Sequence, residues 1–390
     1  VLNSMIPLWN RPKEDVKEEE YTQFYQQNFG ASGKPLTTMR VAAEGNVSYT
    51  ALMFIPETAS QEFYTRESKR GLRLYSSGVM IMDKCPDLLP DHFSFVQGIV
   101  DTPDVSLNIS REMLQHDRQL KVIANNIEKK IKSELVKLMK DDREKYQQFW
   151  TAFGMQFKYA LMNAYGQNRD TIRDLLLFWS SKENKLTSLK EYVDRMPESQ
   201  EKIYYVCADS VEHASKMPQA ERVLKAGYEV LYLTVDEDEI VLQMLENAYD
   251  KPFVSVASED ALPVTDAEKA SVEQAERDHK ALLDFAQETL KGEVSKGRIS
   301  KILQSGAVCL TAEGPVSLEM EKYFRKMRRD FPMSAQRVLE LNPDAPAFQA
   351  LCKAYEEDKE KAAAYVEVLY NQALIIADLP LPDPARYAEL

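Results

Sequence analysis

Cysteine and histidine, the side chains that most often bind transition metals, are scarce: four of each in 390 residues. Cys85, Cys207, Cys309 and Cys352 lie far apart, with neither the paired spacing of a zinc site nor the density of a disulfide scaffold, so reduced structural thiols and no metal are expected. His92, His116, His213 and His279 sit among polar neighbours, none of them next to a nucleophile; distance in sequence does not exclude a triad, but no neighbour suggests one. The 13 glycines form neither a Walker-type nor a dinucleotide-type loop, and no metalloprotease helix motif occurs. Positive charge is outnumbered, 49 Lys and Arg against 62 Asp and Glu, and a net charge of −13 repels phosphate backbones. The longest basic cluster, Lys69-Arg70-Gly71-Leu72-Arg73, reads as a solvated turn, so nucleic acid is not an expected partner. No apolar run approaches the roughly 18 residues of a membrane span, and nothing at the start resembles a signal peptide. A cytoplasmic protein without a membrane partner is the expectation. The chain opens Val1-Leu2-Asn3-Ser4, without Met and at once in folded-looking sequence, which leads us to expect a fragment.

What is present reads as a folded, helix-rich chain long enough for two or three domains. Up to about residue 101, β-branched and aromatic runs such as 48–55 and 78–82 alternate with turn residues, the pattern of strands in a mixed α/β layer. The period then changes. Leu120, Ile123, Ile127, Ile131, Leu135 and Leu138 recur three or four apart and predict one long helix whose stripe packs on that sheet. Aromatic-rich helices follow over 146–195, with Trp150, Phe153, Phe157, Phe178 and Trp179 as core bulk. Residues 202–207 and 227–233 read as two strands joined by a helical stretch through Leu224, a parallel crossover unit. The acidic stretch 258–280, with Pro263 near its start, marks a change of domain. The run from Asp236 to Glu239 lacks the alternating ligands and Gly of a calcium loop and reads as a solvated helix start.

Three segments stand out. In Leu107-Asn108-Ile109-Ser110-Arg111-Glu112-Met113-Leu114-Gln115, Ser110 reads as an N-cap, with Arg111 in the first turn and Gln115 on the same face. A guanidinium beside a helix N-terminus suits phosphate oxygens, although a surface Arg paired with a carboxylate fits the same pattern. In the second segment, Val316, Met320, Tyr323, Phe324 and Met327 form the apolar stripe of an amphipathic helix isolated by Pro315 and Pro332. Such a stripe is either core or, with two Met beside two aromatics, an adaptable surface for varied apolar partners. Near the C-terminus Val366, Leu369, Ala373 and Ile376 repeat at 3-4-3 spacing, and Tyr365, Val368 and Ile375 widen the face beyond what one covering helix buries, predicting a two-fold helical pairing.

The order Ser4-Met5-Ile6-Pro7-Leu8-Trp9-Asn10-Arg11, Glu18-Glu19-Glu20-Tyr21-Thr22-Gln23-Phe24-Tyr25, Lys69 to Tyr75 and Ser106 to Gln115 resembles the middle domain of the 90-kDa heat-shock chaperones. Gln200-Glu201-Lys202-Ile203-Tyr204-Tyr205 continues the match, and Leu339-Glu340-Leu341-Asn342-Pro343 with Tyr370-Asn371-Gln372-Ala373-Leu374 resembles the C-terminal dimerisation region of that family, so the likeness covers essentially the whole chain. The bacterial type fits best, since no acidic tail ending Met-Glu-Glu-Val-Asp is present.

The resemblance implies an α/β and α+β multidomain fold: a middle domain over 1–256, made of a large α/β module to about 140, a helical segment over 141–198 and a small α/β module over 199–256, then an α+β dimerisation domain over 257–390. It implies an ATP-dependent chaperone that clamps partly folded clients as a homodimer, works with co-chaperones and belongs to the heat-shock response. Arg111, with Gln115 and Asn108, would meet the phosphates of ATP held with magnesium by a preceding domain, so this chain alone would hold no cofactor and turn over no ATP. Ala124-Asn125-Asn126 stands where relatives carry basic residues, which puts auxiliary charge contacts in doubt. Client contact is expected at Trp9, Met320, Tyr323, Phe324 and Met327, and dimer contact at Tyr365, Val366, Leu369, Ala373 and Ile376. An enzyme with an unrecognised site and a helical adaptor for one partner remain as alternatives.

Overall fold

A computed structural model describes residues 6–60, 63–64, 70–105, 118–258, 261–327 and 334–390, and the chain divides into two compact units, Val1–Leu176 and Leu177–Leu390.

In the first unit a five-stranded sheet has the order β1-β2-β5-β3-β4, formed by β1 (Pro35–Ala43), β2 (Tyr49–Pro56), β3 (Leu72–Ser76), β4 (Val79–Cys85) and β5 (Gln97–Asp101). All pairings are antiparallel except β3 with β5. The apolar runs expected to be strands became β2 and β4, and β2 is almost wholly buried because it is an inner strand. Gly98 lets β5 approach β2, since a Cβ there would lie 2.4 Å from the Leu52 carbonyl oxygen. Helix α1 (Glu18–Phe29) stops at Gly30, whose φ of 66° is left-handed, and its Tyr21 and Tyr25 pack with Leu52, Phe54 and Ile99.

Helix α2 (Arg118–Asp141) buries Leu120, Ile123, Ile127, Ile131 and Leu135 as its stripe predicts. The stripe closes on Met139 instead of the expected Leu138, which is half-buried: after Leu135 the 3.6-residue turn favours the fourth position over the third. It packs on helix α3 (Arg143–Asn163) and on the turn Pro86–Leu88, and its Asn126 hydrogen bonds the Tyr49 hydroxyl at the start of β2. Asp142 caps α3 by accepting from the Lys145 amide at 3.1 Å. Phe149, Phe153 and Phe157 of α3 join Phe93 and Phe95 in an aromatic core, while Trp150 is only half-buried.

The second unit holds two sheets. The six-stranded one has the order β10-β11-β8-β9-β6-β7, from β6 (Leu177–Ser180), β7 (Lys185–Ser188), β8 (Ile203–Cys207), β9 (Val230–Leu233), β10 (Asn247–Ala248) and β11 (Lys251–Ser255). Ser188 and Glu191 form a reciprocal capping box that opens α4 (Leu189–Arg195). Strands β8 and β9 are parallel, as the crossover reading requires, but the connection is two short helices, Val211–Ser215 and Glu221–Lys225, because Pro218 interrupts a continuous one. Helix α5 (Asp238–Leu245) follows β9.

Helices α6 (Asp266–Asp278) and α7 (Lys280–Thr289) lead to a three-stranded sheet, β12 (Lys296–Ile299), β13 (Val308–Glu313) and β14 (Gln336–Leu341), with β14 central. Helix α8 (Leu318–Met327) lies between β13 and β14, and α9 (Pro346–Glu357), α10 (Lys359–Ile376) and α11 (Pro384–Glu389) end the chain. The compact division at 176/177 differs from the composition change expected near 257, which lies inside the second unit. Glu221 with Ser305 and Arg222 with the Lys301 and Pro263 carbonyls fasten the two sides of that change together. The mixed α/β and α+β character is that expected.

Candidate functional site

Arg111, Gln115 and Asn108 lie outside the described residues. The chain reaches that segment from Val105, whose carbonyl accepts from Ser76 Oγ at 2.6 Å, and leaves it at Arg118, the start of α2. Trp9, in the first unit, is half-buried. Its ring packs 5.1 Å from Tyr75 and 5.9 Å from Phe24, and its indole N–H donates to the buried Asp101 carboxylate at 3.0 Å.

In the second unit α8 brings Met320, Tyr323, Phe324 and Met327 together. Ser317 starts this helix. Its Oγ accepts from the Met320 amide at 3.0 Å and donates to Glu239 on α5. Gln243 of α5 donates to the Met320 sulfur at 3.5 Å. The anchoring of α8 draws on charge as well as on apolar groups: Glu321 is covered and Lys322 largely so, while Arg325 and Lys326 are exposed. The Glu321 side chain is 1% exposed, takes hydrogen bonds from Arg337 at 2.7 Å and from the Ala335 amide at 2.9 Å, and forms an ion pair with Arg325 at 2.6 Å. Lys322, 11% exposed, pairs with Glu319 at 2.8 Å. On the other side Met320, Tyr323 and Phe324 are half-buried and Met327 is 67% exposed, with the Tyr323 and Phe324 rings 5.6 Å apart. Of the whole stripe only Val316 is buried.

Beneath the start of α8 lies a cavity of about 420 Å³ lined by Tyr205, Cys207, Gln243, Glu239 and Glu319 among others. The run Asp236 to Glu239 is therefore not the solvated helix start expected. Asp238 and Glu239 are 3% and 6% exposed, since α5 is apolar almost all round and draws its first turn inside. Burial pushes the Glu239 carboxyl above its ordinary range, opposed by the Ser317 hydrogen bond and reinforced by the charge of Glu319. Burial raises Glu319 too, with Lys322 opposing, and pushes the Cys207 thiol well up, which leaves it a poor nucleophile. The signal available in the sequence was the run Ile240-Val241-Leu242 directly after the acids, which no solvated helix start carries. Among the described residues no group of three or more His, Cys, Asp or Glu could hold a metal ion.

At the C-terminus α10 packs on β13, α7 and α9. Val366, Leu369 and Ala373, expected at a dimer seam, are 1%, 4% and 0% exposed within the chain and belong to its own core with Leu310, Leu339 and Phe348. The seam reading is corrected accordingly: a 3-4-3 stripe marks a buried face, and here the three-stranded sheet buries it. Tyr365, Val368 and Ile376 are half-buried and Ile375 is 50% exposed, so the outer face of α10 carries the remaining apolar surface. Arg337, which holds Glu321 of α8, also donates to Tyr370 of α10 at 3.1 Å, and Tyr370 donates to Glu293 at 3.0 Å.

The Hsp90 protein family model matches residues 1–390. The chaperone protein HtpG of Bacillus subtilis is 50% identical over 386 residues, that of Oceanobacillus iheyensis 49% over 386, and that of Clostridium botulinum 48% over 387. In each case 99% of this chain is covered but 62% of the relative, so the chain spans about three-fifths of the length of these proteins. With a family model and half-identical relatives agreeing along its whole extent, the chain belongs to the Hsp90 family.

Proposed function

We propose that this chain is the client-holding and dimerising part of an ATP-dependent chaperone of the bacterial Hsp90 type. The observation that carries the reading is the burial pattern of α8, where Glu321 is covered while Met320, Tyr323 and Phe324 are only half-buried and Met327 is exposed. A helix that only served the core would bury the second set. Semi-exposed thioether and aromatic groups gain roughly 25 cal/mol per Å² of apolar area that a partly folded client covers, and Met repacks to suit different clients. Trp9 adds a further half-buried aromatic for the same task.

The nucleotide side of the reading rests on family membership. ATP and magnesium bind a preceding domain, Arg111 with Gln115 and Asn108 meets the phosphates, and this chain alone holds no cofactor and turns over no ATP. Two copies pair through the outer face of α10, with Tyr365, Val368, Ile375 and Ile376 in contact, and co-chaperones act on the assembled dimer. The middle domain ends near 256 and the dimerisation domain runs over 257–390. A cytoplasmic setting agrees with four unpaired cysteines. No described helix is long and apolar enough to cross a membrane.

Met320→Gln with Phe324→Gln tests the reading in an aggregation assay with an unfolding client. Suppression should fall several-fold while circular dichroism and the urea midpoint stay as in the parent, because the replaced side chains are not core. Unaltered suppression would remove α8 from client contact.

A further inference from the structure

Helix α8 is joined to the second unit in two unlike ways. On its own sheet it is seated by the buried Glu321, held by Arg337 of β14. Against α5 the contact is hollow: the cavity of about 420 Å³ at the start of α8 and a second of about 310 Å³ both have Glu239 of α5 and Glu319 of α8 in their walls. Open space on one side deprives the lining atoms of the dispersion contacts that close a packed seam. Polar contacts bridge it instead. Ser317 at the start of α8 donates to Glu239, Gln243 donates to the Met320 sulfur at 3.5 Å, and Lys326 in the last turn pairs with Asp236 at 2.6 Å. Asp236, Glu237 and Asp378 stand with Lys326 in the wall of the second cavity, so this end of α8 meets carboxylates from both sides. The side chains that the seam covers are apolar: Val316, the buried member of the stripe, lines the first cavity, and Met320 is half-buried where Gln243 reaches its sulfur.

We propose that these contacts form a clasp: while Lys326 rests on Asp236 and Ser317 on Glu239, α5 withholds Val316 and Met320 from an apolar partner, and release of the clasp opens the seam and offers them. The proposal rests on the reading of α8 as client contact and adds to it a closed and an open arrangement of the same helix. The two ends of the clasp differ in strength. Glu239 is almost wholly buried, so its hydrogen bond with Ser317 is shielded from water and salt. The side chains of Lys326 and Asp236 are 65% and 41% exposed, and a pair so placed is weak and screened by salt. The clasp therefore yields from the Lys326 end, where its charges can be inverted without touching the apolar stripe or Glu321.

The test reads the access of hydrogen peroxide to Met320 in the whole chain, by mass spectrometry of the sulfoxide-bearing fragments, with Met80 of β4, 53% exposed, as the internal reference. In the parent Met320 should oxidise several-fold more slowly than Met80. Asp236→Lys and Lys326→Asp each set like charges across the seam and should narrow that gap by about threefold. The double variant Asp236→Lys with Lys326→Asp restores opposite charges and should return Met320 to the rate of the parent; it carries the same Lys before the start of α5, so it also excludes a mere cost of a cation at that helix end. Equal protection of Met320 in the parent and both single variants, or a double variant as open as the singles, would overturn the clasp. Suppression of client aggregation, followed on the same proteins, should rise and fall with the oxidation of Met320. Faster oxidation in the single variants, reversed in the double, with suppression unaltered throughout would uphold the clasp and remove α8 from client contact.

Discussion

Glu239 carries a pH dependence whose sign follows from its surroundings. Folding raises its pKa above the ordinary value of 4.5, first by desolvation, with Glu319 adding to it and Ser317 and Tyr205 opposing. A carboxyl whose pKa rises on folding lends stability that is complete below its unfolded pKa and is lost as pH climbs through the folded one. In Glu239→Gln that loss should vanish, so the fall in urea midpoint between pH 4.5 and pH 7 should be smaller in the variant than in the parent, read from denaturation curves at both values. An identical pH response would mean that the neighbouring Glu319 sets it instead. Arg111 is argued from motif and family alone. In a chain extended to include the ATP-binding domain, Arg111→Ala should slow turnover about tenfold or more while nucleotide affinity stays nearly unchanged, the pattern of lost transition-state charge stabilisation. A steady-state rate equal to that of the parent would make Arg111 a surface cation.

Helices α6, α8 and α10 illustrate three ways a helix finds its place. Helix α10 is held by an apolar stripe on a sheet, α8 by the buried Glu321 with its apolar side only half-buried, and α6 more lightly, by the half-buried Val272 and Ala275, since none of its residues is fully buried. Thr265 caps α6 through a reciprocal box with Glu268, so local chemistry supports its first turn more than packing does. Backbone with little buried apolar contact opens at low free-energy cost. Limited proteolysis should therefore nick first between Ser258 and Lys269, as also expected if the middle domain ends near 256. First cleavage within α2 or α10, read by mass spectrometry of the early fragments, would count against both.

For the molecule as a whole, the decisive question is whether the outer face of α10 meets a second copy, as proposed. Leu369 is core, so Leu369→Ala should cost about 2–5 kcal/mol of stability in the second unit whatever the oligomeric state. Ile375 is half-exposed, so Ile375→Glu should leave the urea midpoint within about 0.5 kcal/mol of the parent and shift sedimentation at micromolar concentration from dimer toward monomer. A parent chain that sediments as a monomer would defeat the clamp. Much of this architecture was legible in the residues alone. Alternation located β2 and β4, the paired apolar runs located the parallel β8 and β9, and the stripe from Leu120 to Leu135 located α2, because periods of two and 3.6 residues are imposed by backbone geometry before any partner is chosen. Periodicity says that a face is covered and is silent on what covers it. Hence Val366, Leu369 and Ala373 were legible as buried, but only the tertiary structure assigned them to β13 and to the chain's own core. The same holds for charge: Glu239 and Glu321 look like surface acids in a sequence rich in them, and their burial was decided by Ser317, Tyr205 and Arg337, partners 34 to 78 residues away from Glu239 and 16 from Glu321, which come within hydrogen-bonding distance only once the sheets have formed.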